Sequence, residues 1–160
     1  LFARGAHNAR MESRIVHLHA VPQRREAVAS LIHHEFWAEV PGASVEKMAA
    51  RLRQASTSDA LPLCLIALRG DELLGAVNLV DNDDDDHTDW LPWLAGMVVA
   101  APHRGRGVGS QLVRSLLVEA KRLRFDRVYF GTDGPRFYER LGAVVHDVPR
   151  PGFWFMRFDL

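Results

Sequence analysis

Residues 14–21 read RIVHLHAV, placing Ile15, His17 and His19 on one face and Val16, Leu18 and Ala20 on the other. That period of two predicts a strand. From residue 24 to 39 the spacing changes: Val28, Leu31, Ile32, Glu35 and Phe36 gather on one side, as on a helix, before Pro41-Gly42 breaks it. Ser44 is placed as the N-cap of a second helix over residues 45–55, with Lys47 where a capping box would carry Glu or Gln. Residues 61–68, LPLCLIAL, form a nearly unbroken apolar run, the mark of a strand buried on both faces. A turn at 69–71, a strand at 72–80, a polar loop at 81–89 and a strand at 90–100 complete an antiparallel meander. Residues 107–124 set Val108, Leu112, Leu116, Leu117, Ala120 and Leu123 along one stripe, an amphipathic helix. A short strand at 127–131, a short helix at 135–141 ended by Gly142, and strands at 144–148 and 153–160 follow. The order β-α-α-β-β-β-α-β-α-β-β, without repeat or linker, predicts one α/β domain with a mixed sheet.

Length and charge narrow the function. A chain of 160 residues, 48% hydrophobic, suits a single domain with a substantial core. Twenty basic residues balance twenty acidic ones, so no global field favours nucleic acid or an anionic membrane as partner. The longest apolar stretch, around residues 93–102, is well short of the roughly 18 residues of a membrane span. Cys64 is the only cysteine, which excludes an intrachain disulfide and a thiolate metal cluster and fits a reducing, cytoplasmic setting. Residues 1–10 carry no secretory h-region. Met11 reads as a natural start, so residues 1–10 are expected to be a disordered extension and 11–160 the domain.

The most informative stretch is Arg104-Gly105-Arg106-Gly107-Val108-Gly109-Ser110, between a buried strand and a helix. Glycines let backbone N–H groups approach a ligand, and the helix N-terminus adds unpaired donors and partial positive charge, a combination suited to phosphate. A Walker loop would end in Gly-Lys-Ser/Thr, which is absent. A dinucleotide fingerprint would need a third glycine where Ser110 stands, and too little chain follows for a doubly wound sheet.

The spacing of Arg104, Gly107 and Gly109 resembles the Arg/Gln-x-x-Gly-x-Gly/Ala pyrophosphate loop of the GNAT N-acetyltransferases. Phe137-Tyr138-Glu139-Arg140-Leu141-Gly142-Ala143 is similar to that family's second signature, with Ala143 in place of the usual Phe. The resemblance covers residues 14–160. It implies a single GNAT-type domain, with a mixed, mostly antiparallel sheet of about seven strands flanked by four helices. It also implies an acetyl-CoA-dependent N-acetyltransferase acting by direct attack of an amine, a small molecule or a peptide N-terminus, with no metal, as a monomer or homodimer. A closer likeness, to the animal actin N-terminal acetyltransferases and their bacterial relatives, rests on residues 61–65, on Val21-Pro22 with the basic residues after it, and on residues 104–109. The animal enzymes' arginines after the first helix are missing here, where the chain reads WAEVPG over residues 37–42.

The resemblance assigns cofactor-binding roles to backbone of Met97, Val98 and Val99, which would pair with the pantetheine arm where two strands splay, and to Arg104, Gly105, Arg106, Gly107, Val108, Gly109 and Ser110 around the pyrophosphate. Tyr138 matches the family's general acid for the departing thiolate. The family's strand-borne Glu falls at Ala95-Gly96 here, so Glu35, at the end of the first helix, is the candidate base, with His33 and His34 as alternatives. Each of these also has an ordinary reading, as a packed tyrosine or a solvated helix residue. The rival function is a non-catalytic acyl-CoA-binding module on the same fold. Residues 81–86, DNDDDD, are not an EF-hand, which needs Gly sixth and Glu twelfth; a solvated loop or a steering patch for a cationic acceptor remains. His17 and His19 have no evident third zinc ligand. Trp90, Trp93, Phe153 and Trp154 are candidate walls of an acceptor pocket.

Overall fold

A computed structural model describes residues 12–160; the extension expected at residues 1–10 lies outside the described residues. The apolar run in the middle of the chain organises everything else. It forms β2 (Leu63–Arg69), from which Leu63, Leu65 and Ala67 point into one core and Cys64, Ile66 and Leu68 into another. A strand with both faces apolar therefore separates two hydrophobic layers. Around it lie β1 (Arg14–His17), β3 (Glu72–Val80), β4 (Trp93–Val99), β5 (Arg127–Thr132), β6 (Val144–Arg150) and β7 (Phe153–Asp159), in the order β1-β2-β3-β4-β5-β7-β6. Only β4 and β5 run parallel; the other neighbours pair antiparallel.

One core receives Val28, Ala29 and Ile32 from α1 (Arg25–Phe36) and Ala49 and Leu52 from α2 (Val45–Leu52). The other receives Val108, Leu112, Val113, Leu116 and Ala120 from α3 (Val108–Arg122), and Tyr138 from α4 (Pro135–Glu139). The described residues form the expected single domain of seven strands and four helices, with α1 and α2 on one face and α3 and α4 on the other. Ser44 caps α2 as expected, its hydroxyl accepting from Lys47 N–H at 3.1 Å.

Several boundaries differ from the sequence pattern. β1 ends at His17, and Leu18–Ala20 turn as a 3₁₀ helix, followed by another at Pro22–Arg24. His19 therefore leaves the strand face it was expected to share with His17. The cause is Leu18, almost wholly buried, which turns inward to the α1–α2 core while Pro22 redirects the chain. Trp90 precedes β4 rather than opening it, and α2 stops at Leu52, not Ala55. Phe36, expected on the buried side of α1, is 47% exposed. It lies in the last turn, past the point where the helix covers the sheet.

The contact between β4 and β5 is the feature that shapes the site. A single register pair, Trp93↔Tyr129, joins them, with Tyr129 N–H donating to the Pro92 carbonyl at 2.9 Å. Beyond Trp93, β4 follows β3 instead, and its register slips between the Ala76↔Val98 and Asn78↔Ala95 pairs. Gly96 sits in that bulge with φ +56°, a left-handed conformation that glycine adopts freely. A Cβ there would come 3.1 Å from Asn78 Nδ2. Gly75 lets β4 approach β3 closely, since a Cβ at that position would lie 2.5 Å from the Val98 carbonyl oxygen. β4 and β5 are thus held together at the start of β4 and part towards its end, where Met97, Val98 and Val99 lie.

Candidate active site

The chain leaves β4 at Val99, makes a 3₁₀ turn at Ala101–His103 and enters the glycine loop. His103 anchors that turn: it is buried, with Nε2 2.8 Å from Glu72 Oε1. Gly105 and Gly107 have φ of +74° and +83°, and a Cβ at either would meet nothing within 4 Å. Gly107 is the N-cap residue of α3 and no side chain caps that helix. The first N–H groups of α3 therefore face open space beside two glycines, the arrangement that accepts a pyrophosphate. Gly109 serves another end: a Cβ there would press 3.2 Å from the Phe137 ring and 3.5 Å from Val99 Cγ2. The third fixed position of the loop motif thus seats α4 against the end of β4.

Tyr138, the next residue on α4, is 9% exposed and packs on Phe130 and Phe137, with ring centroids 4.4 and 4.9 Å away. Burial, and the negative charge of Asp133, push its phenol up to about 12, so it carries its proton throughout the neutral range. Glu35 approaches from the opposite side of the sheet, at the end of α1. Its carboxylate Oε2 accepts from Arg104 Nη2 at 3.1 Å, while Arg104 Nε donates to the Val99 carbonyl at 2.9 Å. A protonated phenol on the α3–α4 face and a carboxylate on the α1–α2 face thus flank the glycine loop: Glu35 reaches the end of β4 through Arg104, and Tyr138 follows Phe137, whose ring faces Gly109.

The other candidates separate. His34 is turned to the Ser30 carbonyl, 2.7 Å from its Nδ1. His33 lines a cleft of about 250 Å³ with Trp37, Ser44, Lys47, Met48 and Arg51, and its Nδ1 is buried without a hydrogen-bond partner. Apart from His33, a candidate base, the sequence pattern does not mark this set, because only the folded helix pair brings it together. Of the four proposed aromatic walls, Trp90, Trp93 and Phe153 all pack on the Phe155 ring, and Trp154 lies apart from them. Trp93 is 1% exposed and spends its indole N–H on the Trp90 carbonyl; Trp154 packs on the α3–α4 core. Trp90 lies stacked on His87 at 3.9 Å and on Tyr129 at 5.5 Å, and Phe153 packs edge-on to Phe155. His17 pairs with Glu119 at 3.0 Å, and among the described residues no group of three or more His, Cys, Asp or Glu could hold a metal ion.

The acidic loop folds partly on itself, with Asn82 donating to Asp85 and Asp84 3.3 Å from His87. Asp83 lies at the surface, yet crowding by the surrounding chain pushes its carboxyl up to about 6 against the pull of Arg51, which also lines the cleft; Asp84 adds to the rise. Its full charge therefore develops only above that pH. Changing residues 83–86 to Asn should shift stability by no more than about 0.5 kcal/mol. If the loop draws in a cationic acceptor, kcat/KM falls at low salt and less at high salt, because screening weakens steering. Equal kcat/KM for variant and parent at both salt concentrations would reduce the loop to a solvated turn.

The sequence profile of the acetyltransferase (GNAT) family matches residues 29–143, from α1 through the end of the second signature. The chain belongs to the GNAT acetyltransferase family. Among solved structures, GNAT-like folds recur. Salmonella typhimurium yncA with its cofactor acetyl-CoA superposes with a TM-score of 0.73 at 17% identity, covering 92% of this chain and 93% of that one. An aminoglycoside 6'-N-acetyltransferase complexed with coenzyme A gives 0.71 at 18% identity, over 91% and 96%. An acyl-CoA N-acyltransferase from Pseudomonas aeruginosa gives 0.64 at 23% identity, over 91% and 97%. Comparison with curated protein sequences found no match. The GNAT assignment covers the β4–loop–α3 unit and α4, the parts that carry the loop and Tyr138.

Proposed function

We propose that this GNAT protein moves the acetyl group of acetyl-CoA to a primary amine by direct attack, with donor and acceptor bound together. The observation that supports this most is the uncapped glycine loop beside the parted end of β4, with the neutral Tyr138 phenol on one side of the sheet and the Glu35 carboxylate on the other. The open space over Gly105 and Gly107 fits a pyrophosphate, and the splayed end of β4 fits an extended arm. In this reading the backbone of residues 104–110 holds the pyrophosphate, with Arg106 adding charge, and Met97, Val98 and Val99 present peptide groups to the pantetheine. Acetyl-CoA, when bound, supplies a thioester open to attack by a neutral amine.

The chain's own residues manage two protons. Glu35 takes one from the acceptor's ammonium, directly or through water, and so frees the amine lone pair for attack. An α-amine of pKa about 8 needs this help less than a lysine-like amine of about 10.4. Tyr138 delivers its hydroxyl proton to the departing sulfur. Protons balance: nitrogen loses one to Glu35 before attack and a second as the tetrahedral intermediate collapses, sulfur gains one from Tyr138, the second nitrogen proton restores the phenol, and an amide replaces the thioester with one proton released to solvent. A small-amine acceptor is supported by the likeness to an aminoglycoside acetyltransferase; a peptide N-terminus is supported by the likeness of residues 61–65 and 104–109 to the actin-acetylating enzymes. The donor and the buried free thiol of Cys64 both suit a reducing, cytoplasmic setting. Acetyl-CoA should raise the melting temperature of the purified protein, by about 2.7 kcal/mol of added stability at a hundredfold excess over its Kd. A melting curve indifferent to millimolar acetyl-CoA would remove the donor from this reading.

A further inference from the structure

Arg104 was expected to spend its charge on phosphate, but its guanidinium is engaged on the side of the loop that faces α1. Nε donates to the Val99 carbonyl at 2.9 Å and Nη2 to Glu35 Oε2 at 3.1 Å. Three separate pieces of chain meet at this one group: the last residue of β4, the first residue of the glycine loop and the last turn of α1. Apart from Arg104, no described side chain hydrogen-bonds to Glu35, and the last turn of α1 otherwise offers the exposed Phe36. We propose that Arg104 is a positioning residue that ties the glycine loop to the end of β4 and holds the Glu35 carboxylate there, so that cofactor loop and carboxylate are ordered as one unit. The proposal rests on the acetyltransferase reading only in giving the loop and Glu35 their roles.

The chemistry favours arginine for this task. A guanidinium is planar, and its donors project in a fixed fork that can serve a carbonyl and a carboxylate at once. A lysine ammonium keeps the charge on a flexible stem and loses the fixed fork. The pair is half exposed, with side-chain exposures of 54% and 43%, so its coupling is modest. Exposed pairs contribute up to about 1 kcal/mol, which corresponds to about a fivefold change in an equilibrium.

Two measurements test the brace. In solution, the Arg104 Nε–H should give a resolved ¹H–¹⁵N resonance in the parent protein. That resonance should be lost or broadened in Glu35→Gln, although Glu35 does not touch Nε. Calorimetric titration with CoA should show binding weakened about two- to fivefold in Glu35→Gln and at least as much in Arg104→Lys. The double variant should bind no more weakly than Arg104→Lys, because both changes open the same brace. An unchanged Nε signal in Glu35→Gln overturns the proposal. So does CoA affinity that is unchanged or increased in Glu35→Gln, or losses that multiply in the double variant. If the parent does not bind CoA, the Nε signal still decides the brace, and it is the donor assignment that falls. Melting curves on all variants separate these outcomes from unfolding.

Discussion

Tyr138→Phe should lower the turnover number by about 10²–10⁴ while leaving acetyl-CoA affinity close to the parent value. The ring would keep its contacts with Phe130 and Phe137 and lose only the proton. The interaction removed belongs to the transition state, so kcat and kcat/KM should fall together. A phenol pushed up to about 12 is a weak acid beside a free thiol of about 8.5. A thiolate forming against Tyr138 loses water as well, which raises its proton affinity and narrows that gap. The sign of the pH dependence follows. The raised phenol holds its proton until pH approaches 12, so kcat should not decline through loss of this proton below about pH 10. The stability that goes with the bound proton is complete below the unfolded value of about 10 and is lost as pH rises from there to 12. Steady-state kinetics on both folded proteins, where chemistry limits the rate, decide the matter; a variant within twofold of the parent removes Tyr138 as the acid.

Gly107→Glu should abolish detectable CoA binding. Gly107 carries φ +83° at the N-cap of α3, and a Cβ there points into open space rather than into the core. The fold therefore loses little beyond the cost of a left-handed side chain, on the order of 1–2 kcal/mol. The carboxylate would stand where the pyrophosphate is to bind and would offer the free N–H groups of α3 a competing anion of its own. Gly107→Ala separates the two effects: it bears the backbone strain without the charge and should retain measurable binding. Calorimetry with CoA, run beside melting curves, reads both. Equal affinity in Gly107→Glu and the parent would take the loop out of the site.

The strands and helices were legible where one period ran unbroken. The apolar run of β2 and the stripe from Val108 to Ala120 on α3 announced themselves because packing on the two cores demanded them. The N-cap at Ser44 was legible because its physics is local. Boundaries failed where burial overrode pattern, as at Leu18, whose inward turn ended β1 early and took His19 out of the strand, although the His17 and His19 rings stay 5.2 Å apart. The glycine loop and Tyr138 were readable as motifs, but their meeting was not. That Gly109 seats the Phe137 ring is a contact between residues 28 positions apart, which no local spacing encodes. The Arg104–Glu35 pair joins residues 69 apart in the same way, and the cleft between α1 and α2 exists only once both helices lie on the sheet. Gly96 was the one local signal left unread: a glycine inside a strand pattern marks a bulge, and here it parts β4 from the register that precedes it.

The central claim is chemical: an amine displaces the thiol of acetyl-CoA at the parted end of β4. Free-thiol release from acetyl-CoA, followed across a panel of small amines and peptide N-termini, tests it most directly. Thiol release should depend on one class of amine, with one acetylated amine formed per thiol, and should fall with Tyr138→Phe. Tight acetyl-CoA binding with no amine-dependent thiol release from any acceptor would contradict it and make the protein an acyl-CoA-binding module.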